Sequence, residues 1–228
     1  MRKPLWIIAL LFGGLIPSGV RANTITLTTP LGSTTSGGAV NASAIFTTGA
    51  GTITINLKDL EVNPTSIAQL ISGLDFTLST GATTGTLASS SAQQITINTG
   101  GAFVLGSTGA TGWGLNGNVS GGLQLDALGF IGPKGLIVGP PGGSTYSNAN
   151  ASISGNGPHN PFLNQTATFV VNVTGVTAST SITGATFLFG TTLGSNTVSA
   201  SEPGTVSLLL IGLGLLVVMR KRIVPALE

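Results

Sequence analysis

Three groups of residues in this 228-residue chain have types and spacings that suit chemistry. The first is Gly112-Trp113-Gly114-Leu115-Asn116-Gly117, which matches G-x-G-x-x-G. That spacing serves a dinucleotide when a strand precedes it, a helix follows it and an acidic residue lies about 20 residues on. Here the following segment is rich in Gly and Ser and reads as strand, so the motif reads as a glycine-rich strand with Trp113 in the core. The second is His159, the single histidine, in Gly157-Pro158-His159-Asn160-Pro161-Phe162. Prolines on both sides predict an extended or turned loop. Counting residue types leaves a Ser-His-Asp triad open, but there is no G-x-S-x-G elbow and no acidic residue nearby in sequence. His159 therefore reads as a structural loop histidine. The third is Asp59 and Glu61, which flank Leu60 and would share one face of a strand. Paired carboxylates can bind Ca²⁺ or hydrolyse glycosides. Calcium usually takes six or more oxygens, and the chain has no Asp-rich loop. A sugar cleft needs lining aromatics, and the body offers one Trp and one Tyr. The two carboxylates are expected to be solvated charges beside the entrance of a helix, with Lys58 and Asp59 forming a surface pair. No catalytic, cofactor-binding or metal-binding residue is predicted.

The elements that would position these residues are short and β-rich. Alternating runs at Thr24–Thr28, Ala44–Thr48, Thr52–Leu57, Phe76–Leu78, Gln94–Asn98 and Ala102–Leu105 read as strands. So do Gly122–Leu128, Gly135–Val138, Ala149–Ile153, Thr166–Val173, Ser181–Leu188 and Thr197–Ser199. Their period of two and their Thr, Val, Ile and Phe content support the assignment. Thr52–Leu57 places Ile53, Ile55 and Leu57 on one face, and Phe46 to Thr52 reads as a hairpin turn. One short helix is expected, with Asn63 as N-cap, Pro64 at its first position and Gly73 as its stop. Ile67, Leu70, Ile71 and Leu74 would form its apolar face. Ser79–Ser91 is the most loop-like stretch, followed by Gly139–Asn150. The predicted fold is all-β: a single β-sandwich or jelly-roll-like domain over Asn23–Ala200 with one short helix. Ten aromatics, from Phe46 to Phe189, supply one core.

Composition narrows the function. Charged residues are 6% of the chain, against roughly 25% in an ordinary soluble protein. That argues against a typical cytoplasmic enzyme. With no Cys there is no disulfide, zinc-thiolate site or cysteine nucleophile, and one His excludes a multi-histidine metal site. At 41% hydrophobic and net charge +2 the chain does not have the composition of a disordered protein. Asn23–Ala200 keeps only Lys58 and Lys134 against Asp59, Glu61, Asp75 and Asp126, a net charge of −2. Nucleic-acid binding needs clustered Lys and Arg, so no nucleic-acid partner is expected.

The remaining positive charges sit in the two ends. Arg2 and Lys3 precede Leu5–Ile16, a 12-residue apolar run too short for a bilayer core of about 30 Å. Pro17 breaks that run, and Val20-Arg21-Ala22 suits cleavage after Ala22. Residues 1–22 thus read as a signal peptide helix handled by the Sec export machinery. At the other end, Ser201-Glu202-Pro203-Gly204-Thr205 leads into Val206–Met219, a 14-residue apolar run. As a helix it reaches about 21 Å, marginal for a full span. Arg220-Lys221-Arg222 follows and would hold the cytoplasmic side, ahead of a tail at 223–228.

These residues resemble the PEP-CTERM sorting signal of Gram-negative bacteria, a match covering Ser201–Arg222. The chain departs from the pattern at its first position, where Ser201 stands for the usual Pro. The resemblance implies recognition by the membrane protease-transpeptidase exosortase at Ser201, Glu202 and Pro203, with Arg220, Lys221 and Arg222 as the stop. It also implies an inner-membrane intermediate, held through the C-terminal helix, before release or attachment at the cell surface. The body more loosely resembles the β-rich domains that precede this signal. The resembling parts are Thr65–Leu78, Gly112–Leu115, Leu136–Pro141, Tyr146–Ile153 and Phe187–Thr191. That likeness carries architecture only.

The expected function is that of an exported, non-enzymatic surface or extracellular-matrix protein, associated with biofilm or exopolysaccharide and processed by exosortase. Two alternatives stay open. A carbohydrate-binding or glycoside-acting sandwich would show a concave face with exposed aromatics or clustered carboxylates. An adhesin- or pilus-like subunit would show an unpaired or missing strand that a neighbour completes. Asn-x-Ser/Thr occurs at Asn41, Asn118, Asn150, Asn164 and Asn172, and reads as strand and turn chemistry.

Overall fold

The computed structural model describes residues 22–200. The strands are, in order, β1 (Asn23–Thr28), β2 (Thr34–Thr35), β3 (Gly38–Ala39), β4 (Ala42–Thr48), β5 (Thr52–Asp59), β6 (Ile71–Leu78) and β7 (Thr86–Ile97). They continue with β8 (Phe103–Gly109), β9 (Gly114–Val119), β10 (Gly122–Asp126), β11 (Ile137–Val138), β12 (Phe162–Asn172), β13 (Ile182–Phe189) and β14 (Asn196–Ser199). One antiparallel layer runs β1-β4-β5-β12-β7-β8. The second runs β9-β10-β6-β13-β14. β11 pairs parallel with β12 and antiparallel with β6, tying the layers together at one end. The fold is the all-β sandwich that the alternation predicts.

Alternation explains the core. Phe46 of β4, Ile53, Ile55 and Leu57 of β5, and Phe169 and Val171 of β12 are all fully buried. They face Leu74 and Phe76 of β6, Leu123 and Leu125 of β10, and Phe187 of β13. Burying each such side chain is worth about 1.5–3 kcal/mol. The rings of Phe46 and Phe76 join the layers at a centroid separation of 5.5 Å. The β4–β5 turn closes through Gly49 N–H to the Thr52 carbonyl (2.9 Å), with Gly51 at φ +69°. Gln165 interrupts β12 at φ +60°, where the register with β7 shifts between Leu163 and Ala167. Such a bulge bends a strand. Before the bulge β12 pairs with β11, and after it with β5.

Three expectations fail locally. The helix over Asn63–Gly73 is a single 3₁₀ turn at Ile67–Gln69. Ser66, not Asn63, caps it: its hydroxyl accepts Ala68 N–H, and Gln69 Oε1 accepts Ser66 N–H at 3.0 Å. Asn63 sits at φ +55°, outside the extended conformation of an N-cap. Leu70, Ile71 and Leu74 are buried as expected, but Ile71 already begins β6. β6 pairs on one side with β10 and on the other with β13, and two hydrogen-bonded ladders outweigh a helical spacing of four residues. The loop expected over Ser79–Ser91 ends early, because β7 starts at Thr86. Its exposed serines are held by backbone pairing to β12, as Ser89 to Val170 and Ser91 to Thr168. The strand expected at Ala149–Ile153 is a turn, made by Asn150 Oδ1 accepting both Ser152 N–H (2.8 Å) and Ser152 Oγ–H (2.6 Å).

Candidate functional site

The sorting and processing residues Ser201, Glu202, Pro203, Arg220, Lys221 and Arg222 lie outside the described residues. Ala22 is described and exposed, directly ahead of β1. β14 ends at Ser199, and Ala200 N–H donates to the Ala185 carbonyl at 2.8 Å.

The G-x-G-x-x-G segment opens on Gly112 (φ +79°) and then forms β9, which turns directly into β10 rather than a helix. Trp113 is buried, 5.2 Å from the Phe169 ring, and its indole N–H donates to the Gly135 carbonyl at 2.8 Å. The glycines let other groups approach: a Cβ on Gly114 would collide with the Phe130 ring. His159 Nδ1 lies 2.7 Å from the Ser152 carbonyl oxygen, so this nitrogen carries the proton and donates. His159 ties two parts of the 150–160 turn region together.

The Asp59–Glu61 pair departs most from expectation. Asp59 is not a solvated surface group; it is 1% exposed, on the inward face of β5 behind Leu57. Its Oδ1 accepts Glu61 N–H at 3.0 Å, and the backbone N–H groups of Gly139 and Ile71 face the carboxyl. Oδ2 is buried without a hydrogen-bond partner. Burial drives the Asp59 carboxyl well above its ordinary range, and nearby Glu61 pushes the same way against the backbone donors. The Tyr146 hydroxyl donates to the Gly139 carbonyl at 2.9 Å. Burial first, and Asp59 second, push that hydroxyl far up. Asp59 sits where β5 ends, β6 begins and β11 leads into Gly139. Glu61 lies beyond the strand and is partly exposed, so the two carboxylates do not share a face.

A second polar group lies on the outer face of the second layer, which the sequence reading does not single out. Gln124 Nε2 donates to Asp75 Oδ1 at 2.8 Å, and Asn116 Nδ2 donates to Gln124 Oε1 at 3.1 Å and to Asp126 Oδ2 at 3.4 Å. Asp126 accepts Leu128 N–H (2.7 Å) and Gly129 N–H (3.0 Å), so it is committed to holding the turn after β10. Asp75 is half-buried, and desolvation raises its carboxyl despite the Gln124 bond. The register that brings this group together is Gln124 to Asp75 and to Asn116. The available signal is the alternation of polar residues with Leu123 and Leu125 in β10.

Asp75 also lines a cleft of about 670 Å³ with Thr77, Thr183, Thr186, Thr197 and Ser199. Thr77 and Thr183 hydroxyls lie 2.9 Å apart across it. The cleft offers hydroxyl donors and acceptors and one carboxylate, which suits weak contact with hydroxyl-bearing molecules. It has no exposed ring. Trp113, Tyr146 and most Phe residues are buried; Phe130, at 51% exposure, lies over Gly114 and not in the cleft. Among the described residues no three His, Asp or Glu side chains gather as a metal site.

No family model matches this chain, and neither curated proteins nor solved structures give a match. The chemistry of this surface therefore rests on the chain's own residues.

Proposed function

We propose that this is an exported, non-enzymatic surface or extracellular-matrix protein, delivered by a leader cut after Ala22 and released or attached after exosortase acts at Ser201-Glu202-Pro203. The observation that carries the reading is the order Glu202-Pro203, then the apolar run Val206–Met219, then Arg220-Lys221-Arg222. The run is short for a lasting anchor, and the basic triplet holds its end in the cytoplasm. A Pro disfavours helix at the residue before it, so the Glu202-Pro203 order suits a protease that reads an extended segment. A body with few charges and abundant Thr, Ser and Asn is consistent with a passive matrix component. Exopolysaccharide is the partner class that the hydroxyl-lined cleft favours, although the buried aromatics deny it the stacking platform of a strong sugar binder.

The test is mass spectrometry of both termini of the mature protein from an exosortase-containing host, beside the variant Glu202→Ala with Pro203→Ala. The parent is expected to begin at Asn23 and to lack Val206–Met219. The variant is expected to stay uncut in the membrane with an unchanged sandwich. Processing of the variant like the parent would remove the exosortase assignment.

A further inference from the structure

Asn followed by Gly occurs twice, at Asn116-Gly117 and Asn156-Gly157. The glycine nitrogen of such a step can attack the asparagine amide, because glycine has no Cβ to hinder the approach. The fold treats the two steps in opposite ways. Asn116 Nδ2 is held by Gln124 Oε1 and Asp126 Oδ2. Gly117 lies in the β9–β10 ladder opposite Leu123, and a Cβ on it would stand 2.7 Å from the Thr83 carbonyl oxygen. That step is locked on both sides.

Asn156-Gly157 lies in the 150–160 turn region. Gly157 is exposed, its N–H has no hydrogen-bond partner among the described residues, and a Cβ on it would meet nothing within 4 Å. Asn156 Nδ2 donates to the Ala151 carbonyl at 3.1 Å. The Asn156 carbonyl oxygen, which shares a peptide group with the Gly157 N–H, is surrounded by donors. It accepts His159 N–H (3.1 Å), Asn160 N–H (3.0 Å) and Asn160 Nδ2–H (3.0 Å). Asn160 is itself fixed on β7: its Oδ1 accepts Ile97 N–H at 2.9 Å, and its Nδ2 donates to the Ile97 carbonyl at 3.2 Å.

We propose that Asn156 is a self-modification site, closed by the Gly157 nitrogen to a succinimide and then hydrolysed to aspartate or isoaspartate. Hydroxide removes the Gly157 amide proton, and the negative charge spreads onto the Asn156 carbonyl oxygen. Three N–H donors already point at that oxygen, and donors in place before charge develops stabilise it. The Gly157 nitrogen then bonds to Asn156 Cγ, the Cγ–Nδ2 bond breaks, and the amide nitrogen leaves as ammonia. Water opens the ring at either carbonyl, which leaves one carboxylate on the side chain or on the former backbone carbon. The product adds one negative charge to this sparsely charged body. It also removes the amide that donates to the Ala151 carbonyl, which loosens the turn.

The test is peptide mapping by mass spectrometry of the full chain incubated in mildly alkaline buffer, both folded and unfolded in guanidinium chloride. Asn156 is expected to convert about tenfold faster in the folded chain, the effect of one hydrogen bond to a charged group. Asn116 is expected to convert only in the unfolded chain, so it also reports whether a variant keeps its fold. Asn160→Asp keeps the acceptor for Ile97 N–H, removes the side-chain donor, and should slow Asn156 about tenfold while Asn116 stays intact. Gly157→Ala, with open space for its methyl group, should slow it as well. The proposal is overturned if Asn156 converts no faster folded than unfolded, if Asn116 converts alongside it in the folded chain, or if Asn160→Asp leaves the rate unchanged. These outcomes do not depend on cutting at Glu202-Pro203.

Discussion

Replacing Asp59 by Asn separates the cost of a buried charge from the rest of the sandwich. The folded protein holds the Asp59 carboxyl well above its ordinary range, chiefly by burial. An unfolded chain titrates the same group near about 3.9. Between those two values the unfolded state has lost its proton and the folded state has not. Stability should therefore be fully present below the unfolded value and fall as pH rises through the folded one. The slope is about 1.4 kcal/mol per pH unit within that window. For a domain of this size that is a fall of about 3–6 °C in Tm per pH unit. The amide of the Asp59→Asn protein has no proton to lose and can keep its oxygen on Glu61 N–H. Its N–H₂ group would take the place of the unpartnered Oδ2, at a cost of about 1–3 kcal/mol. The Asp59→Asn protein should thus be equal to or weaker than the parent near about pH 3 and gain on it steadily as pH rises. Glu61 and Asp75 are also raised by burial and act with the same sign, but both are present in each protein and cancel in the difference. Thermal unfolding followed by circular dichroism, from about pH 3 to about pH 8, measures it. Parallel curves for the two proteins across that range would refute the buried-charge argument.

Trp113→Phe should destabilise the sandwich by about 2–4 kcal/mol, because it opens space beside Phe169 and leaves the Gly135 carbonyl without its donor; urea unfolding measures this. Gly114→Ala should cost about 1–3 kcal/mol by driving its new methyl group into the Phe130 ring, and the added change Phe130→Ala should recover most of that loss. If the double variant is as weak as the single one, Phe130 is not what requires glycine at this position.

The sequence and the structure agree where one physical rule acts alone. Ile53, Ile55 and Leu57 alternate with Thr and Asn, one face is buried, and no competing pattern exists, so β5 and its inward face are legible. The same alternation carried two residues further would place Asp59 inside, but the usual solvation of a carboxylate argues for the surface. Only the meeting of β5, β6 and β11 around Gly139 decides that it is enclosed. The segment from Ile67 to Leu74 satisfies a helix and a strand equally well as a pattern. β10 and β13, distant in sequence, settle it by bonding to both sides of β6. Ser89–Ser91 shows the converse: without an apolar face it reads as loop, yet β12 supplies a ladder that needs no side-chain burial.

What the sequence determined by itself is local and covalent: the absence of thiols, the poverty of charge, the strand periodicity, and the order of polar, apolar and basic residues in the two ends. Each follows from residue types along one stretch of chain. Tertiary structure alone decided the line of Asp75, Gln124, Asn116 and Asp126 and the burial of Asp59. These depend on which strands become neighbours and where each layer stops. That is set by pairing between segments as far apart as Asp75 and Gln124, and no window along the chain contains it.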